Sequence, residues 1–307
     1  MATETELQGT RFELELGAAG YPAILADIPD PPRRIYGIGD PAALQPGVAI
    51  IGARKATPYG ITCTERFAAH IARRGLTIIA GGAIGCDLQA HKTALELQVP
   101  TVVVFGSGAD VVYPKRGLEV FQQAIAQGGA VISENPWGTP PQPAYFPQRN
   151  RIIAGLAVLL VIAEAGLPSG TFSTADAALA QGKEVAVVPG AITSPNSAGS
   201  NRLLCQGATP LVDADSLDDA LTSAFERYPF AMAQAGPSPV QLPDAELLEH
   251  DELLKALSAQ AYRPDELTAY FGISASELVS RLSQYEMQGL VERGRGGLYH
   301  ARALVRK

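Results

Sequence analysis

Three short clusters in this 307-residue chain carry side chains that can do chemistry. Arg149, Asn150 and Arg151 place two cations and an amide in three consecutive positions. Ser169, Gly170 and Thr171 set a hydroxyl on either side of a glycine, where a helix is expected to begin. Gly52, Ala53 and Arg54 follow a short apolar run with a tight turn and another cation. Cations, hydroxyls and the free N–H groups of a helix start all favour anions, so a phosphate or nucleotide suits this set. Taken alone, the Ser169–Thr171 turn also reads as an ordinary helix N-cap. Asp87 and His91, four apart on an expected helix, form the one candidate acid–base pair. The plainer reading is that Asp87 caps the helix near Gly85 and His91 hydrogen-bonds a neighbouring loop. One titratable pair with no nucleophile and no metal-ligand set argues against catalysis.

The elements that must position these groups are legible as a pattern. Residues 157–163 are an uninterrupted apolar run bounded by Gly155 and Gly166, which reads as a strand buried on both faces of a parallel sheet. Further strands are expected at 48–51, 77–80, 101–105, 130–133, 184–188 and 210–212. Helices are expected at 57–74, 87–98, 115–127, 175–181, 201–206 and 216–227. Strands alternating with helices predict an α/β fold, a doubly wound and mostly parallel sheet. Its ligands bind outside the carboxyl ends of the strands. The glycine-rich turns GAR, GGAIG, FGSG and PSGT all fall there. Glycine allows close backbone approach to a ligand, although it also merely tightens such turns.

Residues 1–10 are expected to be disordered, and the proline-broken segment 11–46 to lie as short extended pieces packed on the edge of the next domain. The first domain then spans 11–228 and a proline-rich linker 229–243. The last domain, 244–307, shows helix, helix–turn–helix and a glycine-turned hairpin, the pattern of a winged helix. Leu253, Leu254, Leu257, Leu278, Leu282 and Met287 are its expected core. From Asp244 onward there are eight Lys/Arg against ten Asp/Glu, which is no basic face for a duplex. A protein-contact module is the alternative for this domain.

The formal net charge of −7 argues against a generally basic nucleic-acid binder but leaves room for a local cationic patch. The three cysteines, Cys63, Cys86 and Cys205, are odd in number and lack metal spacing, which fits a reducing cytoplasm. The start MATETELQGT has no signal-peptide pattern. The longest apolar stretch, 152–163, is shorter than the roughly 20 residues a membrane span needs, so no membrane insertion is expected.

GYP (20–22), VAIIGARKATPYG (48–60), AGGAIGCDLQAH (80–91), VFGSGADVVYP (104–114), FPQRNRIIAGL (146–156), SGTFSTADAALAQGKEVAVVPG (from 169) and GSNRLLCQGA (199–208) resemble, in order, the motifs of the DNA-processing protein A family, DprA or Smf. The resemblance covers about two-thirds of the chain, and its C-terminal module looks like the family's winged helix. It implies an extended Rossmann-like fold, a homodimer and binding of single-stranded DNA. It also implies loading of the RecA recombinase onto incoming strands in natural transformation, with no enzymatic activity and no cofactor. By motif, the DNA-binding residues are Gly52, Ala53, Arg54, Phe146, Arg149, Asn150, Arg151, Ser169, Gly170 and Thr171. The chain departs from the family at Ala53 and Ala80, where serine is usual, and at Cys86, where isoleucine or valine is usual. Without a hydroxyl at 53, backbone N–H groups remain as donors.

Strand binding without sequence preference needs cations along a groove and aromatic faces for bases. Arg54, Arg149, Arg151, Lys55 and Arg202 supply charge, and Phe146 or Tyr145 a face. Against this stand core packing for Phe146 and an ion pair with Glu164 for Arg151. A nucleotide phosphoribohydrolase on the same type of fold is the enzymatic rival. Its family motif ends in a catalytic glutamate, absent from the corresponding stretch 168–174. A nucleotide-sensing transcription regulator is the third reading. Leu203, Leu204, Leu211, Val212, Leu217, Leu221 and Phe225 are the expected dimer surface.

Overall fold

A helix that no turn separates from the strand after it organises the sheet. The computed structural model describes residues 6–228, 251–260, 262–287, 290–293 and 297–301. The chain forms two compact units, 1–240 and 241–307. The first unit runs β1 (Arg11–Glu15), α1 (Ala23–Ala26), β2 (Arg34–Gly39), β3 (Gly47–Ile51), α2 (Pro58–Arg73), β4 (Ile78–Ala80), α3 (Cys86–Glu96) and β5 (Thr101–Val104). It continues with α4 (Leu118–Ala126), β6 (Ala130–Ser133), α5 (Tyr145–Leu156), β7 (Ala157–Ile162), α6 (Thr171–Ala180), β8 (Glu184–Val187), α7 (Ala198–Cys205), β9 (Thr209–Pro210) and α8 (Ala214–Arg227).

The nine strands form one sheet in the order β1-β2-β6-β5-β4-β3-β7-β8-β9. From β6 to β9 every neighbouring pair is parallel. β1 and β2, from the proline-broken segment 11–46, add antiparallel strands at one edge. The winding reverses between β3 and β7: β4, β5 and β6 lie to one side, β8 and β9 to the other. That switch point is where a doubly wound sheet opens a crevice for ligands. Ile51 and Ile162 are paired in register there, so the two strands end flush.

Every residue of β3 and β7 is buried. Their alternate side chains enter two separate cores. Ala49, Ile51, Leu160 and Ile162 pack with Ile152, Ile153 and Leu156 of α5 and Ala175 and Ala178 of α6. Val48, Ile50, Leu159 and Val161 pack with Phe67 and Ile71 of α2 and Leu217 and Leu221 of α8. Each of the Val, Ile, Leu and Phe side chains among them contributes roughly 1.5–3 kcal/mol when fully buried. Helices are started by local chemistry: Pro58 opens α2 behind the Thr57 cap, whose hydroxyl accepts from the Gly60 N–H.

Three expectations are corrected. The strand expected at 157–163 is β7, but the residues before it, for which no helix was expected, form α5, which passes straight into β7 with both elements buried at the junction. Residues 6–10, expected to be disordered, are tied down: Leu7 is buried in the core beside α4, and Gln8 exchanges hydrogen bonds with Gln122. Of the expected dimer surface, Leu203, Leu211, Leu217, Leu221 and Phe225 are buried inside the unit and Leu204 packs against its core. Only Val212 stands out into solvent.

The second unit has α9 (Glu252–Ala259), α10 (Pro264–Phe271), α11 (Ala275–Met287), β10 (Val291–Arg293) and β11 (Tyr299–Ala301). Three helices followed by an antiparallel hairpin make a winged helix. Leu253, Leu254, Leu257, Leu267, Leu278 and Leu282 form its core. Gly272, at φ +64°, turns the chain between α10 and α11. The linker 229–243, residues 244–250, the Met287 side chain and Gly294–Gly296 lie outside the described residues. Among the described residues, no helix is long and apolar enough to cross a membrane.

Candidate anion-binding site at the carboxyl edge

The floor of the edge is made by glycines that could be nothing else. Gly52 follows β3 and lies against Cys86, the first residue of α3; a Cβ on Gly52 would lie 2.6 Å from the Cys86 Sγ. Gly85 turns the chain into α3 at φ +96°, and a Cβ there would run into the Ala53 carbonyl. The Cys86 N–H donates to that same carbonyl at 3.3 Å. The turns after β3 and β4 are thus pressed together backbone to backbone. Burial pushes the Cys86 thiol up to about 12, so it stays an uncharged packing group.

Arg54 and Lys55 extend from this floor, both exposed. The Arg54 guanidinium lies 5.6 Å from the centre of the Phe146 ring, in the first turn of α5. Phe146 is half-buried, so neither pure core packing nor a free aromatic face describes it. Its ring leans on Tyr113, 5.5 Å away between centres.

Arg149 is one helical turn beyond Phe146, and it is not a surface cation. It is 5% exposed. Its Nη1 donates to the carbonyl of Gly81 at 2.8 Å and to that of Val104, tying the ends of β4 and β5 together. Burial lowers its pKa to about 10, the charge of Asp87 counteracts this, and Arg54 adds to it. Asp87 is itself buried, and its Oδ2 accepts from the Gly81 N–H at 3.0 Å and the Ala83 N–H at 3.4 Å. It therefore stitches the turn before α3 instead of capping that helix. Burial raises its pKa, against the pull of Arg149 and of the Ala83, Gly81 and Gly52 N–H groups.

His91 hydrogen-bonds Thr101 on β5 at 2.7 Å, not a loop. The Thr101 hydroxyl donates to Ile78 O, so it accepts from His91 Nδ1–H, which assigns the tautomer. Burial, then the charge of Arg149, drops His91 to about 3, so it is neutral. Asp87 and His91 both lie beneath the surface, with no path to act on a substrate as acid and base.

Arg151 leaves the set. Its guanidinium grips Glu134 through Nη1 and Nη2 at 2.6 and 2.7 Å, and Nε reaches Asp30 at 2.9 Å. The ion pair expected for it exists, but with Glu134 and Asp30. Glu164 is instead buried against α2, accepting from the Thr57 N–H at 2.8 Å and the Thr57 hydroxyl at 2.5 Å. Asn150 donates to the Ser173 hydroxyl at 2.8 Å, and Ser173 donates to Gly170 O, which clamps the 169–171 turn to α5. In that turn the Ser169 hydroxyl donates to Thr171 Oγ1 and accepts the Thr171 N–H. The turn is N-cap-like, as its composition allows, and opens α6 on the same edge as Gly52.

The block GSNRLLCQGA contributes by positioning. Gly199 packs against the carbonyls of Ala165 and Gly166, Ser200 accepts the Ala165 N–H at 2.9 Å, and Asn201 exchanges two hydrogen bonds with Gly190. Arg202 beside it is exposed. The sequence singled out these residues without revealing that they brace the loops after β7 and β8. Tyr113 was inside a quoted motif yet unassigned, since nothing local shows that it meets Phe146. Among the described residues, no three His, Cys, Asp or Glu side chains converge as metal ligands.

A doubly wound sheet with a close-packed, glycine-floored and cation-bearing edge at its switch point, in a chain that also carries a winged-helix unit, defines an α/β protein of the Rossmann type. Residues 14–222 match the family described as DNA recombination-mediator protein A, and residues 236–297 match the DprA winged helix domain. The chain belongs to that family. Protein Smf of Escherichia coli K12 is 34% identical over 283 residues, covering 92% of this chain and 75% of the relative. The X-ray structure of DNA processing protein A from Streptococcus pneumoniae superposes with a TM-score of 0.62 at 33% identity, over 67% of this chain and 72% of that one. A structure of DNA processing protein A from Helicobacter pylori, described for its single-stranded DNA binding mode, gives 0.62 at 32% identity, over 70% and 97%.

Proposed function

We propose that the carboxyl edge of the sheet binds the backbone of single-stranded DNA. The observation that carries this reading is the exposed Arg54, next to Lys55, standing on the compressed Gly52–Ala53 and Gly85 turns. A phosphate brought there meets exposed cations and backbone at close range, in a protein whose overall charge is otherwise repulsive to nucleic acid. The N-terminus of α6 at Ser169–Thr171 supplies helix-start N–H groups on the same edge. Arg149 acts from below: it holds the β4 and β5 turns in place and adds positive potential beneath the strand. Asn150 holds the α6 turn, and Phe146 supports the Arg54 side chain. The family membership and the Helicobacter pylori relative support the same ligand.

In this reading the protein works as a cytoplasmic homodimer. It receives incoming single strands and loads the RecA recombinase onto them during natural transformation and recombination, without catalysing a reaction itself. Anisotropy with fluorescent oligo(dT) and its duplex, at low and moderate salt, tests the binding. Single strands should bind far more tightly, with affinity falling as salt rises; equal affinity for duplex of the same length overturns the proposal. Light scattering tests the dimer. RecA filament assembly on strands pre-coated with single-strand-binding protein tests the loading, which should accelerate when this protein is added.

A further inference from the structure

The aromatic ring that faces solvent on this edge is Tyr113, not Phe146. Tyr113 lies between β5 and α4 and is 44% exposed. Among the described residues its hydroxyl has no hydrogen-bond partner, whereas the similarly exposed Tyr59 is fastened to Pro189 O at 2.6 Å. Tyr113 and Phe146 sit 5.5 Å apart with their planes tilted by 46°. Arg54 lies 5.6 Å from Phe146. Cation, supporting ring and exposed ring therefore form one row, running from the turn after β3 to the segment after β5. Lys115 and Arg116 follow Tyr113 immediately beyond Pro114, both exposed and without an ion-pair partner among the described residues.

A base sandwiched between two rings needs about 7 Å between them, twice the van der Waals contact distance. The Tyr113–Phe146 spacing is too small for that, so a base on this row must take the open face of Tyr113. We infer that Tyr113 is a nucleobase-stacking platform, with Lys115 and Arg116 as phosphate contacts that carry the strand past the β5 turn. Aromatic stacking tolerates any base, and flanking cations follow the backbone, which is the combination that sequence-independent strand binding requires. This inference rests on the proposed strand-binding role of the edge and extends its path by two strands.

The test compares oligo(dT) with an abasic strand of equal length, which keeps the phosphates and removes the stacking partners. Tyr113→Ala should weaken oligo(dT) binding about tenfold or more, on the scale of one lost base stack. Its loss should be confined to strands that carry bases, and Tyr113→Phe should rescue it. The double variant Lys115→Ala/Arg116→Ala should lower the slope of log affinity against log salt by about 1.4, at ~0.7 per phosphate on a single strand. Oligo(dT) carrying 5-iodouracil should photocrosslink to the wild-type protein on the peptide containing Tyr113, a readout that needs no variant to fold. An unchanged affinity for Tyr113→Ala, an equal loss on the abasic strand, or crosslinks only elsewhere overturns the inference. If Arg54→Ala still weakens binding in any of those cases, the strand-binding edge stands without Tyr113. If wild-type protein does not bind oligo(dT), both readings fall.

Discussion

Arg54 and Arg149 belong to the same edge, yet they occupy opposite environments. Arg54 lies in an exposed rim with Lys55, Tyr113, Lys115 and Arg116. Arg149 lies in a buried floor with Asp87, Cys86 and His91. The rim groups keep their hydration in the folded protein, so they contribute little to folding and, in the proposed reading, are the ones left free to bind. The floor groups have surrendered hydration already and are held by backbone partners, so they contribute to the fold and shape the site only from beneath. Two residues of identical chemistry at one sheet edge thus differ in environment, and under the proposed function burial gives them separable jobs.

Breaking the floor gives the largest effect. Arg149→Ala should destabilise the sheet unit by about 3–5 kcal/mol, because it strips the Gly81 and Val104 carbonyls of a donor and leaves Asp87 buried without its cation. Urea unfolding checks this; a change under 1 kcal/mol on the ~1 kcal/mol scale of an ordinary point mutant would move Arg149 to the rim. Arg149→Lys should not restore stability, since an ammonium lacks the fork that serves both carbonyls.

Arg151→Ala should come next, costing about 1–3 kcal/mol through the part-buried Glu134 left without its donor. Its oligo(dT) affinity should remain close to wild type. A large loss of affinity at unchanged stability would return Arg151 to the site.

His91 sharpens the comparison through pH. Its ordinary value of 6.5 falls to about 3 in the fold. The unfolded chain therefore takes up a proton below 6.5 that the folded chain refuses. Stability from this group is complete above pH 6.5 and declines as the pH falls toward 3, by up to about 1.4 kcal/mol per unit. His91→Gln should flatten the curve of stability against pH over that window in urea titrations. An unchanged slope would show that His91 reaches solvent.

Arg54→Ala should have the smallest effect on stability, with the thermal midpoint unmoved. It should weaken oligo(dT) binding and reduce the salt slope by about 0.7, the share of one phosphate contact. Loss of fold in this variant would erase the distinction between rim and floor.

Composition and spacing alone determined a good deal of this protein. Strand-length apolar runs between glycine turns placed seven strands and the carboxyl edge, because two-sided burial demands continuous hydrophobicity and a tight βα turn demands glycine. Leucine spacing over 253–282 defined the winged-helix core in the same way. The family blocks located the edge residues by number. Tertiary structure alone decided which of them are exposed. Arg149 is buried by carbonyls 45 and 68 residues away, and Arg151 by Glu134 and Asp30 from other segments. The helix α5 before the 157–163 strand went unread, because its last turn is as apolar as the strand it enters, and the apolar side of α8 turned inward, where periodicity leaves either face open. Hydropathy reports how much of a residue is hidden; what hides it depends on contacts between segments far apart in the chain.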